Sequence, residues 1–313
     1  MPFIILGGAV LLVLLIAFAV YLAAFYVSPA ARRRDTLERT AHAPEGSVGA
    51  SVHRLCRELR AVPCEPVEII ARDGCRLHGR YYHAAEGAPL QIQFHGWRSA
   101  ADHDLAGGHK MARAAGHNIL LVDQRAHGSS GGHTLTFGVR ERYDCADWAA
   151  YAAARFPRSP ILLTGVSMGA ATVLMAAELP LPSTVVGIIA DCPYSSPADV
   201  IRKVCGDRHI PGWLGMPFAH LGAAVFGGFR LAGDGAVGAV SRTKIPILLI
   251  HGEADTFVPC DMSRRIAAAC ASPLTLLTVP GAGHGASFLQ DPEGYRRALD
   301  AFLERVLPPT DGE

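Results

Sequence analysis

The chain has no C-x-x-C pair among its eight cysteines, which stand at 56, 64, 75, 145, 192, 205, 260 and 270. That absence argues against the common zinc and redox motifs. Most of these cysteines sit beside apolar residues and read as buried thiols; a disulfide between Cys64 and Cys75 across a hairpin stays open. No charge of either sign dominates, with 29 Lys and Arg against 28 Asp and Glu. With no basic stripe interleaved with aromatics, nucleic acid is not an expected partner. His103, His109, His127 and His133 show no ligand spacing of the H-E-x-x-H kind, so no metal is expected. The first 31 residues lack any charged side chain.

That uncharged start is itself a signal. Phe3 to Val27 is almost wholly apolar and free of proline. About 20 apolar residues suffice to cross a bilayer. A cleavable signal peptide usually carries Lys or Arg before the apolar run and a small-residue cleavage site after it. Here the positives, Arg32, Arg33 and Arg34, come after. We read residues 1–31 as a retained transmembrane anchor. The positive flank then lies in the cytoplasm, which makes a single-pass protein of the cell membrane with its remaining domain on the cytoplasmic side.

Residues 32–64 read as a linker with one short amphipathic helix at Val52 to Leu59. From residue 65 to 313 the pattern is that of one α/β domain. Pro66 to Ala71 and Cys75 to Tyr82 flank Asp73-Gly74, a hairpin signal. Strands are predicted at Leu90 to Phe94, Asn118 to Val122, Ile161 to Gly165, Thr184 to Ala190, Ile245 to His251 and Leu274 to Val279. Helices fall between them: Asp102 to Ala115, Glu141 to Arg155 and Met168 to Leu179, with a last one at Pro292 to Leu307. Short apolar strands alternating with helices mean a mostly parallel sheet covered on both faces. About 50 residues separate two of the strands, too many for a structureless loop. A small helical cap is therefore expected at about 192–243, its apolar part running from Ile210 to Leu231.

The strongest motif is Gly165-Val166-Ser167-Met168-Gly169. It fits G-x-S-x-G between a strand and a helix, the context of a nucleophile elbow. A serine needs a base, and the base an orienting acid. Asp255 follows the strand ending at His251, and His284 follows the last strand. Both loops open on the sheet edge that carries Ser167, where sites form in open α/β sheets. Asp191 and, more weakly, Glu253 are rival acids. Two backbone N–H groups would receive an oxyanion: Met168 after the nucleophile, and Trp97 in the loop His95-Gly96-Trp97-Arg98. His95 itself reads as a loop-packing residue. Asp123-Gln124-Arg125-Ala126-His127-Gly128 reads as a loop held by a structural Asp–Arg pair, with a rim network around the site as the alternative.

On these motifs the stretch from Pro66 to Leu307 resembles the α/β-hydrolase superfamily, nearest to membrane-anchored, small-cap members related to esterases and serine peptidases. The resemblance implies the α/β-hydrolase fold and acyl transfer through an acyl-enzyme, with neither metal nor organic cofactor. Ala126 departs from the family, whose members often carry Gly there. The favoured reading is a carboxylic-ester hydrolase. Its substrate would be a small-molecule or lipid-like ester, its catalytic residues Ser167, Asp255 and His284, and its acyl chain would meet Phe218 and Phe226 of the cap. A peptidase or amidase, a thioesterase or acyltransferase, and a non-catalytic binding member are the alternatives.

Overall fold

The computed structural model describes residues 2–32, 36–231 and 233–308. Four helices precede the sheet: α1 (Pro2–Ala24), α2 (Pro29–Arg32), α3 (Thr36–Thr40) and α4 (Val48–Arg60). Arg33 and Arg34 lie outside the described residues. Among the described residues, the segment 32–64, expected to be a linker with one short helix, carries two helices, α3 and α4. Its principal one, α4, starts where the Ser47 hydroxyl accepts from the Ala50 N–H at 3.2 Å, a serine N-cap. It buries Leu55, Cys56 and Leu59.

The strands are β1 (Glu65–Ile70), β2 (Arg76–Tyr82), β3 (Leu90–Phe94), β4 (Asn118–Asp123), β5 (Ile161–Val166), β6 (Val185–Asp191), β7 (Ile247–Gly252) and β8 (Leu274–Val279). They form one sheet in the order β1-β2-β4-β3-β5-β6-β7-β8. β2 pairs antiparallel with β1 and with β4, and every other pairing is parallel. This is the α/β-hydrolase fold, with its antiparallel edge made by the Asp73-Gly74 hairpin.

The helices between the strands are α5 (Ala101–Asp104), α6 (Ala106–Ala114), α7 (Glu141–Arg155), α8 (Met168–Ala176), α9 (Pro197–Asp207), α10 (Gly212–Val225), α11 (Gly235–Val240) and α12 (Asp261–Ala269); α13 (Ser287–Gln290) and α14 (Pro292–Val306) end the fold. Strands β3 to β7 are largely buried on both faces because both are covered; the polar side chains of β3, Gln91 and Gln93, hydrogen-bond each other there. On one side Trp148, Val173, Val240 and Ile266 bring α7, α8, α11 and α12 onto the sheet. On the other, α4, α5 and α6 cover one half through Leu55, Leu105 and Ala112. There α14 covers the remaining half through Leu299, Phe302 and Leu303.

Two expectations need correction. The single helix at 102–115 is two, interrupted at Leu105, whose φ of −105° and ψ of 2° leave the helical range; Asp104, just before the break, accepts from the Gly96 N–H and the Ser99 hydroxyl. Within the presumed cap, α11 lies against α8 as part of the sheet's own cover; only the stretch bearing α9 and α10 stands over the C-terminal edge of the strands.

The loop after β4 is also held differently from expectation. Arg125 does not pair with Asp123. Its guanidinium donates twice to Asp144 of α7, at 2.6 and 2.5 Å, and once to Asp73 at 2.9 Å. Arg125 and Asp144 are both buried, so removing one charge strands the other. Asp144→Ala should therefore destabilise the domain by about 3–5 kcal/mol, read from the midpoint of urea unfolding. A change below about 1 kcal/mol would show that Asp73 alone suffices.

Candidate active site

Strand β5 ends at Val166 and α8 begins at Met168, so the reversal of the chain falls on Ser167 alone. Its φ of 55° is left-handed, a conformation disfavoured for a residue with a side chain. The turn closes only because its flanks are glycines. A Cβ on Gly165 would stand 2.3 Å from the Gly169 carbonyl carbon, and one on Gly169 would stand 2.0 Å from the Phe94 oxygen. The Ser167 N–H donates to the Asp191 carbonyl at 2.8 Å, which ties the turn to β6.

His284, in the loop after β8, places Nε2 at 2.9 Å from Ser167 Oγ. Its Nδ1 lies 2.6 Å from Asp255 Oδ2. The Phe257 ring stands edge-on to the imidazole, centroids 5.1 Å apart. Asp255 is fixed from its other oxygen, which accepts from the backbone N–H groups of Phe257 and Val258 at 2.9 and 2.8 Å. Burial pushes the Asp255 carboxyl up, yet hydrogen bonds to His251 and His284 and from Val258 outweigh it and hold it well below the usual carboxylate range. A carboxylate accepting from Nδ1–H fixes the tautomer in which Nε2 can accept the serine proton. The three residues named from the sequence thus meet in one hydrogen-bonded row.

The rival acids stand elsewhere. Asp191 is buried, and burial pushes its carboxyl up to about 6 against the pull of His251 and His284. Its carboxylate accepts from Ser287 Oγ at 3.4 Å. Glu253 faces Arg264 at the surface. Cys192 lies close enough for its sulfur to sit within 4.8 Å of the Asp255 and His284 donor atoms. Burial pushes its thiol well above the usual range. All eight cysteines are free thiols, Cys64 and Cys75 included. The four histidines weighed as ligands are scattered: His103 pairs with Asp104, His109 stands against Tyr82, His127 against His95 and His133 against Tyr26.

The loop after β3 runs directly over the serine. A Cβ on Gly96 would stand 3.4 Å from the Ser167 Cβ. Among the described residues, the amide N–H groups of Met168 and Trp97 have no acceptor. For Met168 that is the ordinary state of a first helical N–H; Trp97 presents its amide from the loop after β3. His95 does pack the loop, its Nε2 accepting from the Gln124 N–H at 3.1 Å. Two further supports escaped the sequence reading. Asp104 holds the Gly96 N–H at 2.8 Å. His127 Nε2 accepts from the Arg98 N–H at 3.0 Å, holding Arg98 at a φ of 49°. A half-buried Asp 8 positions away and a buried His 29 positions away leave no local signature. Ala126 adopts a φ of 62°. That explains why glycine suits the position, and here the alanine methyl is retained by packing beside Met168 and Phe137.

Of the two cap residues expected to meet substrate, Phe226 is engaged elsewhere. The Phe226 ring lies on α1, 4.9 Å from Phe18 and 6.1 Å from Tyr21. Phe218 is half-buried on α10. The apolar cluster around Met168 is instead built from Phe137, Tyr194, Met216 and Val258, together with Tyr21 and Phe25 of the N-terminal segment.

A family model described as "Alpha/beta hydrolase family" matches residues 77–298. The chain belongs to that family. Among curated relatives it is 26% identical to the uncharacterized protein YqkD of Bacillus subtilis over 198 residues, which is 63% of this chain and 65% of YqkD, just under two thirds of the relative's length. It is 28% identical to the uncharacterized protein Rv2307c of Mycobacterium tuberculosis over 241 residues, 76% of this chain and 78% of that one. Among solved structures it is similar to the Pyrococcus furiosus esterase Pf2001, with a TM-score of 0.64 at 22% identity over 85% of this chain and 96% of that one. It is also similar to a Mycobacterium tuberculosis puromycin-hydrolyzing peptidase, with a TM-score of 0.61 at 18% identity over 80% of this chain and 40% of that one. At these identities the structural likeness shows the fold. Family membership supports a hydrolase.

The Asp104 contact gives a test of the loop. Asp104→Ala frees the Gly96 N–H and lets the Trp97 amide drift. Displacements of about 1 Å at such a position cost up to about 10²-fold. The expected result is a fall of that order in kcat with little change in KM, and slower but complete labelling by a fluorophosphonate. A rise in KM at unchanged kcat would assign Asp104 to substrate binding instead.

Proposed function

We propose that this protein is a serine hydrolase of carboxylic esters that works through an acyl-enzyme on Ser167. The observation that carries the reading is the row Ser167 Oγ–His284 Nε2–Asp255 Oδ2, at 2.9 and 2.6 Å, beneath two amides without acceptors. Ser167 Oγ attacks the ester carbonyl carbon as its proton passes to His284 Nε2. Negative charge gathers on the carbonyl oxygen and is received by the N–H groups of Met168 and Trp97. Asp255 stabilises the imidazolium without taking its proton. The alkoxide leaves with that proton as an alcohol. Water, deprotonated by His284, then attacks the acyl-enzyme and releases the acid. An amide would follow the same steps with an amine leaving, so a peptidase or amidase is the second reading.

We further propose that α1 is retained as a membrane anchor, with the domain on the cytoplasmic side. An 18-residue window within Phe3–Ala24 has a mean hydropathy of 3.1. Its C-terminal end is built into the domain, which argues against removal as a signal sequence. Ala17 and Phe25 are fully buried, and the Phe25 ring packs edge-on against Phe137 and Phe229. Tyr26 pairs with Thr134 as an isolated antiparallel bridge. The Arg98 guanidinium donates to the carbonyls of Ala23 and Tyr26 at 2.9 and 3.0 Å, covering acceptors that a helix C-terminus leaves open. Cleavage behind such a helix would open an apolar cavity beside Met168. A domain seated at the bilayer also meets lipid-like esters at raised local concentration. If the orientation is right, protease added to intact cells leaves the domain whole; digestion from outside would reverse it.

The triad is tested by substitution. Ser167→Ala and His284→Ala should each lower kcat by about 10³-fold or more, with loss of fluorophosphonate labelling for the first. Asp255→Asn should be severe and Asp191→Asn mild; the reverse order would move the acid to Asp191. Matched ester, thioester and aminoacyl-amide substrates decide the bond, and a higher kcat/KM on the amide would favour the second reading.

A further inference from the structure

Helix α10, GWLGMPFAHLGAAV, has His220 as its one polar side chain. An amphipathic surface helix buries an apolar stripe and shows water a polar face, whereas a helix apolar all round is buried on every side. α10 is apolar all round save for the exposed His220, and it is buried on one side only. Met216, Ala219, Gly222 and Ala223 face inward, while Trp213 is 79% exposed and Leu214 and Val225 are about half exposed. Ile210, just before the helix, is exposed as well.

Beside it lies α1, apolar all round too. The two helices touch closely at Gly222, where a Cβ would stand 2.6 Å from the Ala17 carbonyl oxygen. From Leu14 onward α1 turns one side inward, with Ala17 and Tyr21 buried and Val20 and Ala24 partly so. Residues 3–13 are exposed on every side. At 1.5 Å per residue they make roughly 17 Å of helix. A hydrocarbon core is about 30 Å thick. The free part of α1 therefore covers little more than half of it, and the rest of the span must come from the part already bound to α10.

We propose that the outer face of α10 sits inside the lipid bilayer, so that α1 and α10 enter the membrane as one apolar unit and the cap is partly immersed. The inference rests on the reading of α1 as a membrane span. Immersion gives the outer side chains of α10 the apolar surroundings that the fold withholds. Trp213 suits the boundary between hydrocarbon and headgroups, where its ring is buried and its N–H stays wet. Arg208 and Arg230, exposed just before and just after the helix, stand where they can meet anionic headgroups. The opposite, inward face of α10 belongs, through Met216, Ala219 and Ala223, to the same apolar cluster as Met168, so one helix would separate the bilayer from the apolar wall of the site.

The test uses the full chain reconstituted in vesicles of phosphatidylcholine and phosphatidylglycerol, with and without brominated acyl chains. The chain has three tryptophans. Trp148 is fully buried and Trp97 half-buried, so the emission lost in Trp213→Phe reports position 213. Because Trp213 is largely exposed, that variant keeps the fold. The expected result is that this component is quenched by brominated lipid, is shielded from acrylamide in water and emits at shorter wavelength than an exposed tryptophan. A component quenched by acrylamide and not by bromine, in protein that stays with the vesicles after a carbonate wash, overturns immersion and leaves the anchor standing. Shielding from both quenchers, with the protein still in the vesicles, means that a protein surface covers α10 and also overturns it. Release of the chain by carbonate removes the anchor and the inference with it.

Discussion

Everything at the C-terminal edge of the sheet depends on a single strained residue. Ser167 holds a left-handed φ that costs about 1–3 kcal/mol and persists only where the surroundings over-determine it. They do so from three directions. Gly165 and Gly169 bring β5 and α8 closer than any side chain would allow. The Asp191 carbonyl takes the Ser167 N–H. The loop after β3 lies over the side chain, with Gly96 against its Cβ. The hydroxyl therefore stands at the start of α8, where the helix dipole favours negative charge, and it has nowhere to turn but toward His284.

The partner residues are held by a different device. Asp255 and His284 sit on loops that follow neighbouring parallel strands, so the register of β7 with β8 sets how far apart they start. Backbone N–H groups and side-chain contacts then fix each one. Asp255 is buried and doubly held by its own turn, while His284 stays partly open to solvent. This asymmetry suits the roles proposed for them: the acid would stay ionised and still, whereas the imidazole would receive and return a proton.

What the sequence made legible followed from local rules. The elbow needs glycines at fixed offsets, and strands with apolar faces on both sides betray a covered parallel sheet, so Ser167, its strand and the loops bearing Asp255 and His284 could be found by counting. What it hid was set at long range. Nothing near Arg125 says that its carboxylates are Asp144 and Asp73 rather than Asp123. Nothing near Asp104 says that its carboxylate holds the Gly96 N–H. Apolar residues in the cap read alike whether they line a pocket or meet another helix, which is why Phe226 was assigned to an acyl chain and lies on Phe18 instead.

The most consequential of these long-range contacts joins the N-terminal helix to the chemistry. Arg98 follows the Trp97 amide directly. Its own N–H is held by His127, and its guanidinium closes the end of α1. Trp97 stacks on Phe137, and Phe137 meets Phe25. A movement of α1 relative to the sheet would therefore reach the loop over Ser167 through two routes, one polar and one aromatic. An anchor joined by a flexible linker would transmit no such movement. Here Val27 donates to the His133 carbonyl and Arg32 donates to the Ser130 and Gly132 carbonyls, so the chain stays bound to the domain past the end of the helix. The helix that would hold the protein at a bilayer thus forms one wall of the apolar cluster beside the nucleophile, and the setting of the site depends on where that helix lies.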